Sequence, residues 1–297
     1  MRRIEFLIKQ VRRATENNDL AGISTAEFEQ YMNDAQDRLQ NLIQKAHPET
    51  GFFERQGFIN LVPTTDTYSL ENMVDENGDS FKPRILLFNS LRMVERTQGD
   101  IYYPLKFISP KERTTGYGYI VRDKDIIISP TAQGTYNKGL RITYAGKLRD
   151  LGIRRGKITN LSPLTVSVLG DATDFDDADF LTIVDKNGVS KVDDVAMEGW
   201  NSGTGVITTS TDISNAAVDD FVLLGGHSTT HSELPDLCEH YLISYTEMKI
   251  FMRDSSADTT AQSSLVSAME KDIIDLFKDN NGDVVHVPIS STDYLIW

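Results

Sequence analysis

The sequence contains one cysteine, Cys238, in 297 residues. A lone thiol excludes an intrachain disulfide framework and cannot by itself hold zinc; on a helix it is a small apolar residue. Long apolar runs are missing as well, since no stretch approaches the roughly 18 residues of a membrane span. The opening MRRIEFLIKQVRR lacks the apolar core and small-residue cleavage site of a signal peptide. The expectation is a protein made and kept in a reducing cytoplasm, with no membrane partner. Basic charge is scarce: 30 Lys and Arg face 44 Asp and Glu, a formal net charge of −14 with a pI near 4.8. That balance argues against general nucleic-acid binding, which needs a basic face. It suits a surface that DNA passes without being held, because like charges repel.

Motifs that carry chemistry are absent too. His227 and His231 are four apart, but they lie in a Gly/Ser/Thr segment with no HExxH. The acidic turns at 75–79, 185–188 and 279–283 lack the glycine and glutamate spacing of a calcium loop. Gly116-Tyr117-Gly118 sits in a strand-rich stretch with no following helix or lysine, so it is no phosphate loop. There is no GxSxG elbow. Glu270 and Asp272 lie two apart on a helix and face different directions. The sequence predicts no catalytic residue, no metal site and no cofactor; it does not read as an enzyme.

What is present is helical at the ends and strand-like in the middle. Phe28, Met32, Ala35, Leu39, Leu42 and Ala46 recur at spacings of 4, 3, 4, 3 and 4, the period of a helix that buries a narrow stripe. Ser24 and Glu27 form a capping box at its start, and His47-Pro48 ends it. Before it, 2–17 reads as a helix with Ile4, Leu7, Ile8, Val11 and Ala14 on one side. Arg2, Arg3, Lys9, Arg12 and Arg13 lie on the other, either a solvated face or a face toward another copy. Near the other end, Leu237, Tyr241, Tyr245, Met248 and Met252 form a third stripe, and Leu265, Met269, Ile273 and Leu276 a fourth.

Between these lie strand signals: 58–62, 84–95, 102–108, a hairpin of 117–121 with 126–129, and 140–144. The segment 146–157 is a basic connector carrying Lys147, Arg149, Arg154, Arg155 and Lys157, a place where an acidic partner can meet the chain. Residues 158–224 then read as a separate small β unit, with strands at 164–169, 180–184, 205–209 and 221–224 and an acidic loop at 171–179. The last residues run to Tyr294, Leu295 and Trp297, aromatic anchors either folded back on their own domain or docked on another chain.

The predicted fold class is therefore α+β: an antiparallel helical bundle formed by the N- and C-terminal helices, with β-rich insertions including a small β-sandwich or barrel. The expected parts are a helical 1–50, a β-rich 51–148, an inserted β domain at 158–224, a helical 232–279 and a C-terminal extension at 280–297.

The order of features resembles the head-to-tail adaptor (connector) proteins of tailed bacteriophages. The resemblance is carried by Ser24-Thr25-Ala26-Glu27 leading into Tyr31-Met32-Asn33-Asp34-Ala35-Gln36-Asp37-Arg38-Leu39, by Leu61-Val62-Pro63-Thr64-Thr65-Asp66-Thr67-Tyr68-Ser69-Leu70, by the 140–144 strand, and by Leu234-Pro235-Asp236 with Tyr241-Leu242-Ile243-Ser244-Tyr245. It covers the helical ends and the first β region. It implies a virion protein at the head–tail interface of the capsid vertex, a dodecameric ring beneath the portal protein. Such a ring continues the channel for double-stranded DNA, which passes without specific binding, and offers a platform to a downstream tail or nozzle protein. The residues expected to meet partners are Arg2, Arg3, Arg12, Arg13, Arg154, Arg155, Tyr294, Leu295 and Trp297. The alternative is a receptor- or carbohydrate-binding virion protein that uses the 158–224 unit.

Overall fold

Ser24 opens a helix as its spacing to Glu27 predicts. In the computed structural model, which describes residues 2–15, 23–48, 50–85, 91–99, 101–113, 116–170, 175, 179–253 and 259–278, Ser24 Oγ accepts from Glu27 N at 3.2 Å. The Glu27 carboxylate accepts from Ser24 N at 2.9 Å. Two of the helix's orphan donors are thereby satisfied before its first turn closes.

The described residues divide into two compact units: Thr50–Lys147, and the segments on either side of it. In the first, ten strands form two sheets. β1 (Glu54–Leu61), β3 (Met73–Val74), β4 (Ser80–Phe81), β5 (Leu91–Gln98), β6 (Ile101–Pro104) and β10 (Tyr136–Ala145) make a six-stranded sheet in the order β4-β3-β1-β10-β5-β6. β2 (Thr67–Ser69), β7 (Lys106–Phe107), β8 (Gly118–Arg122) and β9 (Asp125–Ser129) make a second sheet in the order β2-β9-β8-β7. Leu140, Ile142, Val94 and Ile59 from the first sheet share one core with Tyr119 and Ile128 from the second. On the opposite face of the larger sheet, Arg141 stands across from Glu95 and holds its carboxylate with two hydrogen bonds, while its guanidinium lies 4.6 Å from the Tyr102 ring. The β8–β9 hairpin turns through Asp123 at φ +54°, a left-handed position that aspartate tolerates.

The second unit holds all four α-helices and a closed barrel. α1 (Ile4–Thr15), α2 (Thr25–Ala46), α3 (Glu239–Arg253) and α4 (Thr260–Lys278) pack together, with α3 touching each of the others. β12 (Gly156–Ser162), β13 (Thr165–Gly170), β14 (Phe180–Val184), β15 (Ser190–Asn201), β16 (Val206–Thr209) and β17 (Phe221–Leu224) close in the order β12-β13-β16-β15-β14-β17. Closure leaves no edge to template further pairing. Ile158, Val166, Leu181, Ile183, Ile207 and Val222 fill the interior. Two short strands, β11 (Asp150–Leu151) and β18 (Ser228–Thr229), pair in parallel on either side of the barrel in sequence.

The expected helical bundle, with helices as the core and β segments as insertions, is not what forms. Among the described residues strand makes up 38% and helix 31%, in several largely antiparallel sheets. The physical reason lies on α2. Beside its apolar stripe runs a second, polar one: Glu29, Asn33, Gln36 and Gln40, at spacings of 4, 3 and 4. These side chains take an extended segment of backbone where a bundle would place another helix. The chain is a mixed α and β protein.

Several local expectations shift by about one residue. Along α2, Ile43 is buried, Leu42 only half so, and Ala46 is exposed, because a 3.6-residue helix rotates away from a strict 3–4 alternation. On α4 the buried residues are Val266, Glu270 and Ile273, while Leu265 and Leu276 face outward. Leu237 and Met252 also lie outside the buried face around α3. The segment 86–88, the acidic loop at 171–174 and 176–178, and the final stretch from 279 lie outside the described residues.

Candidate functional site

The residues expected to meet partners are largely engaged within the chain. The Arg2 backbone N–H donates to Glu239, whose carboxylate also lies 3.7 Å from the Arg2 guanidinium; that guanidinium stands over the Phe6 ring at 4.7 Å. Arg3 donates to the Lys186 carbonyl at 2.8 Å. Arg12 donates to Thr25 Oγ1 at 3.2 Å and lies 5.0 Å from the Phe28 ring. Arg13 is exposed on α1. Arg154 binds Glu5 at 2.8 Å and covers the Phe221 ring; Arg155, with its side chain only 10% exposed, binds Glu29 at 2.8 Å. The basic connector is thus a stitch that ties the barrel entrance to α1 and α2. Tyr294, Leu295 and Trp297 lie outside the described residues.

The stitch continues along the polar stripe of α2. Ile153 N donates to Glu29, Leu151 N to Asn33, and Leu148 N to Gln40. Asn33 and Gln36 donate back to the carbonyls of Leu151 and Arg149, at 3.0 and 2.7 Å. Four side chains on one helix face therefore act as a strand edge for residues 148–153, running antiparallel to them. Gln36 also accepts from Ser232 Oγ at 2.6 Å, and both residues are buried. None of these residues was singled out from sequence for this role, although their i, i+4, i+7, i+11 spacing was there to be read.

Two charged clusters have the residue types of an active site and the geometry of a clamp. Asp193 accepts from Thr182 Oγ1 at 3.1 Å, lies 3.3 Å from His227 Nδ1 and pairs with Arg149 at 3.2 Å; His227 Nε2 lies 3.6 Å from Asp194. The carboxylate is central and both imidazole nitrogens face carboxylates, so the hydroxyl has no base beside it. Burial raises the Asp193 carboxyl, and the His227 and Arg149 contacts outweigh it, leaving the group below the usual carboxylate range. In the second cluster Glu270 receives Arg38 at 2.6 and 3.1 Å and the Tyr241 hydroxyl at 3.0 Å. Burial, with Glu270 beside it, pushes the Tyr241 phenol up, and the Glu270 hydrogen bonds raise the Arg38 guanidinium. Cys238 is fully buried, and burial pushes its thiol up to about 12. Among the described residues no three His, Cys, Asp or Glu side chains converge as a metal site. No described helix is long and apolar enough to cross a membrane.

Charge is divided sharply between the two units. Residues 50–147 carry 13 Lys and Arg against 11 Asp and Glu, so they are weakly basic. The rest of the chain carries 17 against 33, an excess of 16 negative charges. Arg149, Arg154 and Arg155 are paired with the partly buried Asp193, Glu5 and Glu29, while Lys157 pairs with Asp219 at 2.6 Å on the surface.

Of the four aromatic residues a binding head in the barrel could use, Phe175 is buried, Trp200 and Phe221 are half-buried and Phe180 is exposed. The buried Phe175 ring lies 4.9 Å from the Trp200 ring at a tilt of 39°, and Trp200 packs against the barrel core. A shallow cleft on the β15–β16 hairpin is open above Gly199 and lined by Trp200, Asn201, Thr204, Val206 and Thr208. No protein-family model matches this chain, and comparison with curated proteins finds no match.

Proposed function

We propose that the chain is a structural virion protein, a head-to-tail adaptor that assembles as a ring under the portal, continues the DNA channel and presents a platform for tail attachment. The observation that carries this reading is the charge division. A unit with 33 acidic and 17 basic residues, its connector arginines committed to internal carboxylates, has a surplus of negative charge for its surface. A wall past which DNA must slide has to repel phosphate, and such a surplus does that without specific contacts. The motif order from Ser24 to Tyr245 supports the reading as well. The mixed architecture departs from the helical core that the resemblance implies, so the proposal rests on charge and motif order and not on fold.

The receptor- or carbohydrate-binding alternative has less support, because Phe175 is buried and Trp200, the one aromatic residue lining the β15–β16 cleft, is half-buried against Phe175 and the barrel core. The test of the adaptor reading is electron microscopy of a portal ring mixed with the full chain. Added density of ring shape on one end of the portal supports it; bare portal rings at saturating protein contradict it.

A further inference from the structure

The weakly basic unit leaves one flank uncovered. β6 is the terminal strand of the larger sheet and β7 the terminal strand of the smaller one. Ile101 and Tyr103 stand across from Gln98 and Arg96, on the side of β5 that also carries the core residue Val94. They continue that core face out to its edge. Phe107 does the same on the other sheet, where its ring meets Tyr119 edge-on at 5.7 Å. Tyr117 closes the set, its hydroxyl accepting from Gln98 at 3.2 Å. The four residues are 59%, 44%, 65% and 47% exposed for Ile101, Tyr103, Phe107 and Tyr117. Together they leave on the order of 400 Å² of large side chains in water, the scale of the largest apolar patch on a typical monomer. Lys106 and Lys111 lie exposed on either side of Phe107 in sequence. β6 and β7 are short and carry Pro104 and Lys106, which discourage strand addition; what the flank offers is side-chain surface.

We propose that this flank is a self-association surface, on which Ile101, Tyr103, Phe107 and Tyr117 of one copy seat against the acidic unit of a second copy. Charge complementarity selects the occupant. The flank belongs to the weakly basic unit, and every copy also carries a unit with an excess of 16 acidic residues. A contact between two different faces of the same chain is heterologous, and it closes into a ring when the rotation permits. The patch is about half of one partner's share of a standard interface, which makes it a contact centre to be completed by polar surroundings. The choice of a second copy rests on the ring-forming reading above, and the experiment separates the two.

The test is site-specific cross-linking of the full chain. Ile101→Cys takes a benzophenone-maleimide label selectively, because the native thiol, Cys238, is fully buried; Phe107→Cys is the second site should the first variant melt early. Labelled chain mixed with isotopically heavy chain is irradiated alone and with a portal ring. The expected result is a light–heavy cross-link that maps to residues 1–49 or 148–297 of the other copy, in either mixture. Cross-links only to portal, only within one chain, only to another copy's 50–147 unit, or to nothing overturn the inference. Copy-to-copy cross-links without portal binding leave this surface standing and remove the adaptor reading; portal binding with cross-links to portal alone does the reverse.

Discussion

Asn33 and Leu151, 118 positions apart in sequence, exchange two hydrogen bonds. The Asn33 amide donates to the Leu151 carbonyl at 3.0 Å, and its oxygen accepts from the Leu151 N–H at 2.6 Å. A helix side chain thus does for a short extended segment what a neighbouring strand would do. It holds that segment where it enters the barrel.

Asn33→Ala removes both partners of a buried residue's backbone, and each backbone group left unpaired costs about 1–3 kcal/mol. The expected loss is about 2–4 kcal/mol in denaturant unfolding, given that Asn33 itself is half-buried. Asn33→Asp keeps the acceptor for Leu151 N–H and loses the donor, so it falls between wild type and Asn33→Ala. Equal loss for both variants contradicts the reciprocal pair.

Leu39 is fully buried in the α2 stripe. Leu39→Asp places an unpaired carboxylate there, at a cost of about 4 kcal/mol or more, enough to remove most of a marginal stability. The melting transition should broaden or vanish. A normal melting curve contradicts the placement of the stripe.

Arg155 and Glu29 are both largely buried and bound to each other. Arg155→Met is expected to cost about 2 kcal/mol, and a cycle with Glu29→Gln should give a coupling of about 1–2 kcal/mol. The Gln side chain still accepts from Ile153 N–H, which keeps the second role of Glu29 intact. No coupling, with weakened binding to another chain instead, would return Arg155 to the partner-facing role read from sequence.

His231 is held below its usual pKa by burial first, then by Arg3, with Arg154 acting the same way and Glu5 opposing. The unfolded imidazole takes its proton first as pH falls, so the unfolded state binds more protons in the window from about 6.5 downward. Stability from this group is present above that value and is lost as pH falls through the folded pKa. Melting temperature should drop between pH 7.5 and 5.5, and His231→Asn should drop less over the same interval. The carboxyls of Glu27, Asp66 and Asp193, lowered in the fold, act in the same direction at more acidic pH.

Local signals were legible in the sequence where one segment determines them. The Ser24–Glu27 box, the 126–129 strand with its left-handed Asp123 turn, and the strands at 180–184 and 221–224 all follow from adjacent residues. The longest strand, 190–201, was hidden by Lys191, Asp193, Asp194 and Glu198, whose charge masks the alternation. Asp193 is satisfied by Thr182 on the neighbouring strand and by His227 and Arg149, both distant in sequence. The same limit applies to Arg154 and Arg155. Sequence displays their charge but not Glu5 and Glu29, which stand 149 and 126 positions away. The helical bundle failed as an expectation for a related reason: amphipathic stripes announce that a face will be buried, not what buries it.

The most direct test of the account is native mass spectrometry of the full chain with a portal ring, titrated until free chain persists. The account predicts a complex with a fixed, multiple number of copies per portal and nothing in between at saturation. Free portal and free chain side by side, at every ratio and at low and moderate salt, would contradict it.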